Sequence, residues 1–278
     1  MGPFRPQRKL VGAGLEIHML TEPLLFQVKA NVGILTINRP KSMNALNLAI
    51  ISRLENALLE LEKPEVRVVI ITGAGAAFCA GADLKEVLAG ADLPPGEADF
   101  LDRISVVFNR IRNLPKPVIA ALNGLTMAGG LELAMCGDII LAAKSAKIGD
   151  AHANFGVYPG AGGVAILPRI IPLNIAKYLL FSGKTLTAET LMGYGLVNEV
   201  VEDKNLMARA LEMSELFARK SPLALARMKK VANKTSDMAR DDALALEQVE
   251  LRKHFRSWDI KEGLSAFSEK RTPNFKGQ

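Results

Sequence analysis

Cysteine is nearly missing from this 278-residue chain, which holds only Cys79 and Cys136. So low a count excludes a disulfide framework and a cysteine-rich zinc module, and makes a reducing compartment the default. Histidine is as scarce: His18, His152 and His254 stand in unrelated contexts, which argues against a metal site. Aromatic residues make up 5% of the chain, and Phe255 and Trp258 are the only ones between residues 249 and 261, so basic and aromatic residues do not interleave as nucleic acid would require. Two charge-free stretches, residues 68–82 and 117–131, are fifteen residues each, contain glycine, and fall short of the ~20 needed to span a bilayer. The N-terminal Arg5, Arg8 and Lys9 precede no uninterrupted apolar run, because Glu16 and His18 intervene, so the segment does not read as a secretory signal. Residues 1–25 read as a flexible extension, and the whole as a soluble cytoplasmic protein.

What is present is ordinary for a globular chain: 49% hydrophobic, 23% charged, enough length for about two domains or one large α/β domain. Net charge is +6, and residues 205–278 hold fifteen Lys/Arg against ten Asp/Glu, so most of the excess sits in the last quarter. Such an excess suits an anionic ligand, and equally a solvated face of surface helices.

Periodicity supplies the elements. Residues 26–38 alternate as one or two strands before the Arg39-Pro40 break. Residues 46–61 place Leu46, Ile50, Ile51, Leu54, Leu58 and Leu61 on one helical stripe. The apolar run at 68–72 reads as a strand buried on both faces, 117–122 as a buried strand and 138–142 as a further strand. Helices are expected near 81–88, 100–114 and 129–135, a loop over 89–97, and a late strand at 197–201. Alternating strands and helices followed by an almost all-helical tail make an α/β fold.

Two strands lead into small-residue turns, Ala80-Gly81-Ala82 and Ala128-Gly129-Gly130. Free backbone N–H groups at a helix start point at whatever lies there, and two such turns facing each other would form a hole for a developing oxyanion. A dinucleotide fingerprint at Gly73-Ala74-Gly75 fails, because Phe78 stands where its third glycine belongs.

Five collinear motifs resemble the crotonase superfamily, the enoyl-CoA hydratases and isomerases: NRPKSMNAL at 38–46, FCAGADLK at 78–85, GGLELAMCGD at 129–138, GVYPGAGG at 156–163 and AFSEKR at 266–271. The resemblance runs from about residue 26 to 276. It implies a spiral of ββα units over 26–205 and a helical oligomerisation region over 206–278, giving a trimer or dimer of trimers. It implies an acyl-CoA thioester substrate, with no cofactor apart from the CoA that enters as part of it. The oxyanion donors would be the N–H groups of Ala82 and Gly129. Lys41, Ala45, Ala80, Ala82, Asp83, Leu84, Lys85 and Gly129 would line the CoA channel, and Phe267 and Lys270 of a neighbouring subunit would meet the adenosine.

Hydratases of this kind use two glutamates. The first corresponds to Glu132, three residues beyond Gly129 among apolar neighbours, where burial would raise its pKa. The second is absent, and His152 takes its place. A turn histidine held by Asp150 is one reading of it; an imidazole that accepts and returns a proton is the other. The exchange alters pocket charge by about one unit. Hydration of a trans-2-enoyl-CoA is the leading expectation. Isomerisation, or hydrolysis or decarboxylation of a CoA thioester by Glu132 and His152, is the alternative, and a non-catalytic RNA- or protein-binding member is a third. Cys79 and Cys136 read as packing residues rather than nucleophiles.

Overall fold

The computed structural model describes residues 22–90 and 99–278. Strands β1 (Leu24–Lys29) and β2 (Val32–Ile37) form an antiparallel hairpin whose turn residues, Ala30 and Asn31, both have positive φ. That pairing suits a two-residue turn matched to strand twist. The first strand thus begins at Leu24, two residues before the expected start at 26, and residues 1–21 of the expected extension lie outside the described residues. Helix α1 (Leu48–Leu61) follows, capped by Asn47, whose side chain accepts from Ile50 N. It buries Ile50, Ile51, Leu54, Ala57, Leu58 and Leu61.

The six-stranded sheet runs β1-β2-β3-β5-β7-β10, with β3 (Val68–Gly73), β5 (Val118–Leu122), β7 (Ile139–Ala143) and β10 (Glu199–Val201), parallel from β2 onward. A second sheet, unforeseen from periodicity, orders β4 (Ala77–Cys79), β6 (Leu125–Met127), β8 (Lys147–Gly149) and β9 (Thr185–Thr187). Each long strand turns straight into a short one: β3 into β4, β5 into β6, β7 into β8. Helices α2 (Leu84–Gly90) and α4 (Gly129–Ala134) follow β4 and β6. This is the expected ββα spiral. The two charge-free stretches are now explained, since each runs through a long strand, a turn and a short strand of the second sheet, with the strands themselves largely buried. The expected loop over 89–97 lies outside the described residues apart from the end of α2.

Helix α3 (Phe100–Arg112) packs against α1 with Phe100, Ile104, Val107, Phe108 and Ile111 buried, and Asp99 and Asp102 form a capping box at its start. Short helices α5 (Leu167–Ile170), α6 (Leu173–Ser182) and α7 (Ala188–Gly193) lead to α8 (Leu206–Ala218), which lies on the large sheet. Helices α9 (Pro222–Thr235), α10 (Arg240–His254) and α11 (Trp258–Ser268) close the chain. They are unlike the core helices: α9 buries no side chain, α10 buries only Glu250, and Leu244, Val249, Phe255, Leu264 and Phe267 are exposed. Among the described residues no helix is long and apolar enough to cross a membrane.

Two asparagines hold the β3–β4 turn. Asn44, fully buried at φ +58°, donates to Ala77 O (2.6 Å) and Ala74 O (2.9 Å) and accepts from Arg39 N (2.8 Å). Asn123 accepts from Gly73 N (3.0 Å) and donates to Gly75 O (2.9 Å). Replacing Asn44 by alanine strands buried carbonyls and places a methyl side chain in a left-handed conformation. Urea denaturation of Asn44→Ala is expected to show a loss of about 2 kcal/mol or more. An unchanged midpoint would remove Asn44 from this role.

Candidate functional site

Strand β4 leaves through Ala80 and Gly81, the latter at φ +110°. Leu46 then grips the chain from the side: its N–H donates to Gly81 O (2.8 Å), and its carbonyl accepts from Asp83 N (2.7 Å). The residue between, Ala82, is thereby fixed on both flanks while its own N–H engages no protein acceptor among the described residues.

Strand β6 gives way to Ala128, held by its N–H on Gly149 O (3.2 Å) in a positive-φ conformation (φ +51°, ψ −121°) that costs an alanine about 1–3 kcal/mol. This bend aims the start of α4. Gly129 is its first residue, and the Gly129 N–H is likewise unengaged, as helix-initial donors are. The two turns are in close contact. A Cβ added to Gly129 would stand 3.3 Å from Ala82 N, and one added to Gly81 would stand 3.4 Å from Gly129 N. Gly130 permits the approach, because a Cβ there would lie 2.1 Å from Cys79 O.

Ala82 and Gly129 both line a cavity of about 650 Å³ together with Glu132 and His152. Glu132 projects from the first turn of α4 and is 3% exposed. Its Oε1 accepts from Ala161 N and Gly163 N, both at 2.8 Å. Oε2 has no protein partner among the described residues and is not sealed from the cavity. Burial raises its pKa, which the two amides and the nearby His152 only partly offset. A carboxyl group so placed exchanges protons at higher pH than a solvated one.

His152 opens the 3-10 turn His152–Phe155 just beyond β8 and is 12% exposed at the side chain. Its Nδ1 lies 3.0 and 2.9 Å from the two carboxylate oxygens of Asp150, a residue with no solvent exposure. Burial lowers the imidazole pKa, but the hydrogen bond to Asp150 and the charges of Asp150 and Glu132 outweigh it, so the net shift is upward. Both readings of His152 therefore meet in one residue: it is held by Asp150, and it also faces the cavity.

A model of the family described as enoyl-CoA hydratase/isomerase matches residues 27–278. A short-chain-enoyl-CoA hydratase from Clostridium acetobutylicum is 36% identical over 250 residues, covering 89% of this chain and 95% of its own. A carnitinyl-CoA dehydratase from Shigella flexneri is 37% identical over 250 residues, covering 88% and 94%. The crystal structure of an enoyl-CoA hydratase from Bacillus anthracis superposes with a TM-score of 0.86 at 35% identity, over 92% of this chain and all of that one.

The chain belongs to the enoyl-CoA hydratase/isomerase family.

Within this family member, Ala45, Ala80, Asp83, Leu84 and Lys85 line the same cavity as Ala82 and Gly129. Lys41 is not among the lining residues: it lies on the exposed 3-10 turn Pro40–Ser42, although Arg39 and Ser42 beside it do line the cavity. Phe267 and Lys270 are also away from the cavity of their own chain, and Phe267 is 84% exposed. Arg39 had no role assigned from sequence. It donates to Ala45 O (2.6 Å) and pairs with Asp83 (3.2 Å), which ties the first motif to the turn bearing Ala82. Its place between Asn38 and Pro40 was visible, but its fold-back was not. Phe100, Leu101 and Ile104 of α3, with Phe155, Val157 and Tyr158, supply apolar lining to the cavity. Cys79 and Cys136 are buried, and burial pushes both thiols up to about 12, so neither serves as a nucleophile near neutral pH.

Proposed function

We propose that the protein adds water to a trans-2-enoyl-CoA, forming a 3-hydroxyacyl-CoA. The observation that carries this reading is the pair of unengaged main-chain amides beside Glu132 in one cavity. Relatives named as short-chain-enoyl-CoA and crotonyl-CoA hydratases support it.

The thioester oxygen accepts from Ala82 N and Gly129 N. As water attacks C3, the electron pair of the double bond moves onto that oxygen as an enolate, where each preorganised donor contributes about 2.7–4 kcal/mol. Glu132 takes the water proton through its open Oε2 while Oε1 stays held. His152 gives a proton from Nε2 to C2. One proton leaves water and one reaches carbon, so the balance is addition of H₂O, and the proton on Glu132 then returns to His152 through solvent.

Glu132→Gln is expected to lower turnover of a short enoyl-CoA by roughly 10²–10⁴-fold, read as the rate of loss of the conjugated thioester. Wild-type turnover in this variant would remove Glu132 from the reaction. The pH profile carries the same assignment. Glu132 acts ionised, so activity falls as pH drops through its raised pKa; His152 acts protonated, so activity falls as pH climbs through its own raised pKa. Both limbs of the bell therefore lie above those of a solvated carboxyl and imidazole, and kcat/KM measured across pH checks this.

A second reading draws on His152, since a single imidazole base also serves isomerisation, hydrolysis or decarboxylation of a CoA thioester. Product analysis across a panel of thioesters separates these from hydration. A nucleic-acid role finds less support, because Arg227, Lys230 and Lys253 converge on Glu250, and Arg271 on Glu262 and Glu269, rather than forming an open basic face.

We also propose a trimer or a dimer of trimers, in which the exposed apolar side chains of α10 and α11 are covered and Phe267 and Lys270 approach a neighbour's CoA. Light scattering coupled to size exclusion is expected to give three or six chains. A monomer at micromolar concentration would contradict this.

A further inference from the structure

We propose that Asp150 is a positioning residue: it holds the His152 ring with its proton on Nδ1, so that Nε2 faces the cavity as the group that exchanges a proton with substrate. The kinetic consequence rests on the hydration reading above; the ring orientation does not.

Burial and donor count lead to this assignment. A wholly buried carboxylate needs donors, because an unpaired charge in an apolar interior is strongly disfavoured. Among the described residues the oxygens of Asp150 receive from His152 alone: its backbone N–H reaches Oδ1 at 3.0 Å, and Nδ1 reaches both oxygens. An ionised carboxylate only accepts, so Nδ1 carries the hydrogen. Nε2 has no protein partner among the described residues, yet it is not sealed from the cavity that His152 lines.

The local chain builds this pair. Asp150 directly follows β8, and its bond to the N–H two residues on is an Asx turn that starts the 3-10 turn carrying His152. Gly163 then sets Asp150 beside Glu132. A Cβ on Gly163 would lie 2.8 Å from Pro159 Cβ, 3.2 Å from Asp150 Oδ2 and 3.3 Å from Glu132 Oε1, so a side chain here would crowd both carboxyl groups. The charged groups acting on the ring are thus Asp150 from its own segment and Glu132 from α4, both acidic, and they favour the imidazolium.

This arrangement corrects the expected change in pocket charge. A neutral carboxylic acid that gives up a proton goes from zero to minus one. The pair of ionised Asp150 and protonated His152 also begins at zero and ends at minus one. The dyad therefore reproduces the charge course of a second carboxyl group, and the one-unit difference of the histidine disappears once Asp150 is counted.

In the test, Asp150→Asn lets the amide donate to Nδ1 and moves the ring hydrogen to Nε2. The expected result is a fall in kcat of at least about 10²-fold, since mispositioned imidazoles elsewhere lose up to ~10⁴. KM should stay within about threefold, and the alkaline limb of the pH profile should shift to lower pH. Nitrogen-15 NMR of the three-histidine protein, with His152 assigned by His152→Gln, should show hydrogen on Nδ1 in the neutral wild-type ring and on Nε2 in Asp150→Asn. A folded Asp150→Asn with wild-type kcat and pH profile, or a wild-type ring protonated on Nε2, overturns the proposal. A second pair of variants keeps it testable should Asp150→Asn fold poorly. His152→Glu alone sets two carboxylates together and is expected to lose activity, and adding Asp150→Asn should recover it; equal activity of the two counts against the dyad. A wild-type protein that hydrates nothing but carries hydrogen on Nδ1 would sink the hydration reading while supporting the positioning.

Discussion

The site depends on the near contact of two backbone turns that come from different ββα units. The start of α4 meets the exit of β4 so closely that no side chain fits between Gly130 and Cys79 O. Only at that separation do the amides of Ala82 and Gly129 stand side by side. Everything around them serves the approach: Leu46 grips both flanks of Ala82, Asn44 and Asn123 hold the preceding turn, and Ala128 keeps an unfavourable backbone conformation. Strain of this kind persists where the surroundings over-determine it.

Against this apolar framework stand two buried carboxyl groups, Glu132 and Asp150. Glu132 has one oxygen bound by two backbone amides and one left open, and Asp150 is satisfied by a single histidine. Burying two carboxyl groups near each other is unfavourable unless donors reach both. The loop through Ala161 and Gly163 supplies them to the first, and His152 supplies them to the second. One segment of chain, residues 150–163, thus brings both the histidine and the amides that restrain the glutamate.

Long apolar runs made the large sheet legible in the sequence, because a strand buried on both faces shows as uninterrupted hydrophobicity at 68–72 and 117–122. The helix at Leu48–Leu61 was equally plain from its stripe. The second sheet was not, since strands of three residues such as Ala77–Cys79 and Lys147–Gly149 are too short to display a period. At the site, the glycine-rich turns indicated where free amides would lie, and the motifs brought Glu132 and His152 forward. The fold-back of Arg39 onto Ala45 and Asp83, and the satisfaction of Asp150 by one residue alone, depend on hydrogen bonds that residue spacing does not encode. Lys41 came from the resemblance, and it lies on an exposed turn whose Ser42 lines the cavity.

The tether on one oxygen of Glu132 has a stereochemical consequence. A free carboxylate rotates and can offer either oxygen from several directions; this one presents a single lone-pair set along a single line. In the proposed reaction, the amides of Ala82 and Gly129 would hold the thioester oxygen in the same frame. A water guided by Glu132 would then meet one face of the carbon–carbon double bond, and main-chain geometry would set the handedness of the resulting alcohol.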